Sequence, residues 1–441
     1  MLTKILPRSG TRPLSLRVNF AWAFAGNAIS AFCRWVLLVM LAKMADPGVV
    51  GLFAIAQAVT LPISHFLGLQ VAIVQVTDVN NEYEFRHYFG VKFLSAVLAL
   101  CVSIGVGFWK YAAHPALPVI CMLSAGYGVF EVEKVFLAAM QKHERMDCVA
   151  RSHVLQGLLT LAFFGGAFLI SRRLWIAVSG LFLARLVVLW FNDRPCAKAL
   201  IQGALHHPVR FTQFLPDRRV LHLMGTAFPL GLVAGFQTLY TSIPRLLLDT
   251  THGQDLVGYF AAMASLLVAG TMAVAALTHS VMPRLAKYFA GNLRAYFILL
   301  GKIILVAVGL GVLAVIVASL LGRWILTLMF TPEYGAYHVE LVWVTVAGGA
   351  LFVFSFFNAG LNAARRFRSQ VIAAAAAAGI CYLTARAWIP GHGIMGAAWS
   401  LLACYLGGAL ICALFILKAA WDKRTIASSE AQGQDDGNST T

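Results

Sequence analysis

Apolar stretches of about 20 residues follow one another along nearly the whole chain, each long enough to cross the ~30 Å hydrocarbon core of a bilayer as a helix. The pattern predicts spans at 18–42, 49–76, 89–109, 116–140, 152–170, 174–192, 222–246, 256–282, 296–321, 338–361, 370–388 and 393–418. The stretches show no period-two alternation, and backbone in lipid must satisfy its own hydrogen bonds, so helices are favoured over a barrel. The expected fold class is an all-α polytopic membrane protein of about 12 transmembrane helices in two six-helix bundles. Residues 1–192 form the first bundle, 193–221 a cytoplasmic linker and 222–418 the second bundle, with 419–441 a disordered cytoplasmic tail. Within the linker, Ala197, Leu200, Ile201, Ala204 and Leu205 recur at helical spacing among basic residues, the pattern of a helix lying on the membrane surface.

Charge sets the orientation. Lys4, Arg8, Arg12 and Arg17 precede the first span, and the even-numbered connections carry Arg86, Lys142, Arg145, Arg151, Arg194, Lys198, Arg210, Arg218, Arg219, Arg284, Lys287, Arg294, Arg365, Arg366 and Arg368. Most odd connections hold a single cation: Lys43, Lys110, Arg323, Arg386. Cationic loops stay cytoplasmic, so both termini are expected inside; Arg172 and Arg173 depart from the pattern. With 60% hydrophobic and only 12% charged residues, little sequence remains for a soluble domain, and the net charge of +16 reads as attraction to anionic membrane lipids rather than to nucleic acid.

Several features carry no chemistry of their own. The first apolar run is too long for a cleaved signal core and reads as a retained span. The eight cysteines show no C-x-x-C pairing and read as free, mostly buried thiols. Gly309, Gly311 and Ala314 match G-x-G-x-x-A inside an unbroken apolar span, which points to close helix packing rather than to a dinucleotide. The run Ala373 to Ala378 suits a tightly packed helix face. No metal-ligand cluster or catalytic acid pair stands in a loop, so neither a metal, a cofactor nor an enzymatic role is expected; coupling to protons or sodium is left open.

An internal repeat supports the two bundles. Gly48-Val-Val-Gly51-Leu-Phe53-Ala54 at the start of the second span matches Asp255-Leu-Val-Gly258-Tyr-Phe260-Ala261 at the start of the eighth, 207 residues on. Transporters are commonly built from such repeats around a central site. Here six spans return the chain to its starting side, so the repeats would be parallel.

Gly26-Asn27, Leu41-Ala42-Lys43, Gly51-Leu-Phe53 and Leu67-Gly68-Leu69 resemble the opening of bacterial polysaccharide transporters, the O-antigen and exopolysaccharide flippases of the multidrug/oligosaccharidyl-lipid/polysaccharide superfamily. Gln141-Lys-His143-Glu144-Arg145-Met146-Asp147, Ile243-Pro244-Arg245, Pro283-Arg284-Leu285-Ala286-Lys287-Tyr288, Asn362-Ala363-Ala364-Arg365-Arg366-Phe367 and Gly391-His-Gly393-Ile-Met-Gly396 continue the resemblance from Arg17 to Lys418. It implies an inner-membrane protein that carries a polyprenyl-pyrophosphate-linked oligosaccharide between leaflets by alternating access through a cationic cavity. It also implies a place in lipopolysaccharide or exopolysaccharide synthesis, with a polysaccharide polymerase and glycosyltransferases as candidate partners. Two alternatives stand beside it: a drug or cation antiporter of the same superfamily, which should carry acids in its cavity, and a membrane polymerase or glycosyltransferase, which should carry a sizeable catalytic loop.

A pyrophosphate crossing hydrocarbon needs compensating charge, so intramembrane ions are the candidate site. Arg34 and Arg245 lead, being able to contact phosphate bidentately, and their distances to the repeat glycines Gly51 and Gly258 make them candidate counterparts. Arg185, Lys92 and Lys302 follow; both lysines stand near cytoplasmic ends and have a snorkelling alternative. Glu131 and Glu133 are the candidates for ion coupling, with an ion pair between Glu131 and Lys134 as the structural alternative. His65 and His279 read as helix contacts. Trp22, Trp35, Tyr240, Tyr259 and Phe356 could stack on sugars or simply pack.

Overall fold

A computed structural model describes residues 15–78, 81–201, 218–364 and 366–438. Ten of its helices are long and apolar enough to cross a membrane, and a bent pair supplies an eleventh span. The stretch Arg368–Lys423 runs for 56 residues and contains Gly393 at φ 53° and ψ −124°, a backbone conformation that side chains disfavour. This break divides it into the two expected last spans and so yields a twelfth. No strand occurs among the described residues.

Along the chain, α1 is Leu16–Met44, α2 Pro47–Leu67, α3 Val71–Thr77, α4 Phe85–Tyr111, α5 Ala116–Lys142, α6 Met146–Ser171 and α7 Leu174–Val188. A π turn, Leu189–Asp193, leads into α8, Arg194–Leu200. Then come α9 Arg218–His252, α10 Gln254–Ser265, α11 Val268–Gly291, α12 Leu293–Met329, α13 His338–Ala363 and α14 Phe367–Asn438.

Four local features differ from the sequence reading. The second span is not continuous over 49–76: Leu69 and Gln70 take φ 53° and 49°, a left-handed conformation uncommon for non-glycine residues, and they separate α2 from α3. The eighth span, expected over 256–282, bends by 42° between α10 and α11. At the linker, the backbone does not leave the helix at Asp193; α8 continues from α7, while Ala204 and Leu205 lie outside the described residues. The helix of the last span runs through the polar tail to Asn438, where the tail holds no proline to interrupt it.

Capping explains several starts. Glu84 N–H donates to His87 Nδ1 at 3.1 Å in a reciprocal box that opens α4, and Asn292 Oδ1 accepts from Ala295 N at 3.0 Å to open α12. Between α5 and α6, the motif Gln141 to Asp147 builds its own turn. Glu144 adopts φ 55°, and Arg145 clamps Asp147 bidentately at 2.9 and 2.8 Å.

The described chain divides into two compact units, Met1–Met44 with Ile55–Gly235, and Ala45–Ala54 with Phe236–Thr441. In the N-terminal unit α1 packs on α6, α4 on α5, and both α5 and α6 on α7. In the C-terminal unit α13 packs against α11, α12 and α14. Small residues allow these approaches: Gly311 of the G-x-G-x-x-A stretch lies against Gly349, and Ala373, Ala374, Ala377 and Ala378 are all buried. The cysteines are free, and six of the eight are buried.

Candidate functional site

Helix α5 carries Tyr127, Phe130, Glu131, Glu133 and Lys134, and their helical spacing sends them toward two different neighbours. One set faces the broken second span. Lys92 of α4 reaches Glu131 Oε2 at 2.7 Å and the Gly68 carbonyl at 2.5 Å, while Lys134 reaches Glu131 Oε1 at 2.6 Å. The Lys92 and Glu131 side chains are each 1% exposed. Lys92 therefore does not snorkel: its ammonium takes up a carbonyl left by the helix break, a group that would be costly unpaired in lipid. His65, one turn before the break, is an electrostatic neighbour of this triad, and its Nδ1 is buried without a hydrogen bond.

The other set faces α7. The Arg185 guanidinium lies 4.2 Å from the Phe130 ring centre and 5.7 Å from that of Tyr127. Its Nη1 is 3.7 Å from Glu133 Oε2, within ion-pair range but beyond a hydrogen bond. Arg185 Nε and Nη1 and Glu133 Oε2 are all buried without a hydrogen-bond partner. Arg34 of α1 lies within electrostatic reach of Arg185, donates from Nη1 to Ser30 Oγ at 2.8 Å, and is accessible on its helix. His153 of α6 senses both arginines. Four helices thus bring two guanidiniums, an imidazole and two aromatic rings into one neighbourhood, with Glu133 facing Arg185 and the buried Asp193 carboxylate an electrostatic neighbour of Glu133.

With Arg151 and Asp193 counted as well, these described groups still hold more cationic than anionic side chains: Arg34, Lys92, Lys134, Arg151 and Arg185 against Glu131, Glu133 and Asp193. Lys92 and Lys134 share Glu131, while Arg185 is paired loosely with Glu133 and Arg34 has Arg185 as a like-charged neighbour. Uncompensated charge in a low-dielectric interior favours an anion, and Arg185 has two unused donors with which to take one.

The other sequence candidates have surroundings of their own. Arg245, half-buried on α9 in the C-terminal unit, is an electrostatic neighbour of Tyr405, with Asp249 one turn further along the helix. Lys302 is exposed on α12. Tyr240 packs against Phe354 and Tyr405 and, with the fully buried Phe356, forms core, while Tyr259 is half-buried against Tyr334 and Tyr337; Trp22 is exposed, and Trp35 packs on Phe32. Sequence reasoning passed over Tyr127, Phe130 and His153. The i, i+3 spacing of Tyr127 and Phe130 on one stripe of α5 was the available signal.

A hollow of about 420 Å³ at the α3, α4 and α5 ends is lined by polar and apolar groups, and Asp78, Tyr88 and Lys142 among them bond one another. Tyr88 donates to Asp78 Oδ2 at 2.7 Å, the backbone N–H of Glu82 adds a bond at 3.0 Å, and Lys142 stands 3.6 Å from the same carboxylate. Burial alone would raise the Asp78 carboxyl, yet the hydrogen bonds from Tyr88, Glu82 and Tyr83 outweigh it and hold it below its ordinary value.

The family model described as "Polysaccharide biosynthesis protein" matches residues 16–289. The chain is 25% identical over 341 residues to the capsular polysaccharide biosynthesis protein CapF of Staphylococcus aureus, a match covering 76% of this chain and 82% of that one. The lipid II flippase MurJ in an inward closed conformation superposes with a TM-score of 0.72 at 10% identity, over 91% of this chain and 89% of that one. An inward-facing multidrug resistance MATE family transporter of the MOP superfamily superposes with a TM-score of 0.70 at 13% identity, over 91% of this chain and 99% of that one. These two structural likenesses concern the fold.

Proposed function

The chain belongs to the polysaccharide biosynthesis protein family, and on that premise we propose that it is a flippase for a polyprenyl-pyrophosphate-linked oligosaccharide. It would act in the bacterial inner membrane with both termini cytoplasmic, taking its cargo from the inner to the outer leaflet by alternating access. The observation that carries this reading is the cluster around Arg185, whose buried, unused donors and excess positive charge suit a pyrophosphate. Arg34 supplies a second guanidinium to the same anion, and Arg245 is its proposed counterpart in the C-terminal unit. The lipid tail can remain in the bilayer while the charged head is held by protein.

A drug or cation antiporter shares this fold, but a cation would meet Arg34 and Arg185 rather than free carboxylates. Glu131 is already neutralised by two lysines, which leaves Glu133 as the acid best placed to exchange a proton during transport. Glycosyltransferases would supply the cargo and a polymerase would consume it.

Deletion tests the reading. The surface polysaccharide should disappear while its lipid-linked repeat unit still forms and accumulates on the inner leaflet. Absence of the lipid-linked unit would instead favour an enzyme. Reporters fused at Thr441 and near Glu333 should lie on opposite sides of the membrane, and the same side for both would overturn the topology.

A further inference from the structure

The C-terminal unit contains a cleft of about 300 Å³ between α11 and α13, lined on its polar side by Thr271, Thr278, Ser355, Asn358 and Asn362. Phe352 closes one wall, and Gly270 leaves room for it: a Cβ there would fall 2.4 Å from the ring. No charged side chain lines the cleft among the described residues.

The polar groups have a definite hydrogen-bonding sense. Thr271 donates its hydroxyl to the Val268 carbonyl, Thr278 to that of Val274 and Ser355 to that of Leu351, each at 2.8 Å. With their protons spent on the helix backbone, the three oxygens present lone pairs. Asn358 Oδ1 accepts from Gln370 Nε2 at 2.8 Å, and Gln370 is buried, which fixes that amide with its NH₂ turned away from Gln370. The cleft therefore offers fixed acceptors from hydroxyls and donors from amides, against aliphatic and aromatic walls.

We propose that this cleft is a saccharide subsite, binding neutral sugar hydroxyls of the translocated lipid-linked oligosaccharide. The inference rests on the flippase reading and adds a second recognition element to it. A sugar hydroxyl both donates and accepts and so suits alternating acceptors and donors, and its C–H faces suit the apolar wall. A phosphate would require a cation and a cationic drug a carboxylate, and the cleft supplies neither. Its volume sits at the lower end of the roughly 300–1,000 Å³ of small-molecule sites, so it takes part of the saccharide and not all of it.

The test compares two lipids on the purified full chain: the pyrophosphate-linked oligosaccharide extracted from cells lacking this transporter, and bare undecaprenyl pyrophosphate. Wild type should bind the saccharide-bearing lipid more tightly. Asn362→Ala and Ser355→Ala should each weaken that binding about tenfold while leaving the bare lipid unchanged, and Asn358→Ala should do the same. Arg185→Ala should weaken both lipids. Equal loss on both lipids in the Asn and Ser variants, or no loss on either, overturns the subsite while leaving the flippase reading intact. If wild type binds neither lipid, both readings fail. Ser355→Ala removes one oxygen from a helix face, so its melting temperature should match wild type; a fall there with parallel loss of both lipids counts against the subsite.

Discussion

Gly51 and Gly258 press against each other reciprocally. A Cβ on Gly51 would lie 1.8 Å from the carbonyl oxygen of Gln254, four residues before Gly258, and a Cβ on Gly258 would lie 1.9 Å from that of Pro47, four residues before Gly51. The contact is self-complementary in the way of a two-fold interface, and it joins the two copies of the sequence repeat. Gly51→Ala or Gly258→Ala should therefore lower the amount of folded protein in the membrane several-fold, by roughly 1–3 kcal/mol of overpacking. Alanine at Gly105 or Gly379, where nothing lies within 4 Å, should be neutral. Equal abundance of all four variants would show that the crossing tolerates a methyl group.

Arg185 separates binding from packing. Arg185→Ala should cut export of the surface polysaccharide about tenfold or more at normal protein level, the loss of charge-assisted bonds worth roughly 1.5–3 kcal/mol. Arg185→Lys should rescue poorly, since lysine keeps the charge and loses the planar fork. Arg34→Ala should behave likewise. Normal export by either alanine variant at normal abundance would remove that residue from the site.

The two acids of α5 should respond differently. Glu131→Gln leaves Lys92 buried with a neutral partner and should cost about 3–5 kcal/mol, seen as loss of protein from the membrane. Pairing it with Lys92→Met should restore only part of the abundance: it removes the unpaired buried ammonium but leaves the Gly68 carbonyl without its partner. Glu133→Gln should instead leave abundance near normal and remove the pH dependence of export. Unchanged pH dependence would reduce Glu133 to a counter-ion of Arg185.

Asp78 gives a pH signature outside the spans. Its carboxyl is held below the ordinary value by bonds it accepts in the folded state, so its contribution is present above the unfolded pKa and is lost as pH falls through the folded one. Wild type should melt higher than Asp78→Asn at neutral pH, and the difference should close on acidification below the usual carboxylate range. A gap that widens toward low pH would contradict the assignment.

The spans were legible because hydrophobic length is a local property, and the Glu131–Lys134 pair because its spacing is. Other parts depend on distant residues. Gly68 stands at the first break, but a lone glycine in an apolar run reads equally as close helix packing, and Leu266 and Leu267 at the bend of the eighth span are simply apolar. Lys92, near a helix end, has every local reason to snorkel; its partner stands 39 residues away on another helix. The charge around Arg185 was half visible: the arginines and Glu133 could be picked out as intramembrane ions, but the rings of Phe130 and Tyr127 beneath the guanidinium could not be matched to it from sequence. Asn358 and Asn362 gave no cue, because an amide in an apolar stretch acquires meaning only once Thr271 and Thr278 stand opposite.

The break after Gly68 has a mechanical consequence. Because Lys92 holds the free carbonyl and Glu131 holds Lys92, the gap in the second span is tied to α4 and α5, and resealing it into straight helix would break the bond between the Gly68 carbonyl and the Lys92 ammonium. The second span is thus a fixed elbow and not a hinge, and α3, α4 and α5 should travel as one rigid block through the transport cycle. Spin labels at the exposed positions Ile73 and Leu94 should keep a constant separation in every state.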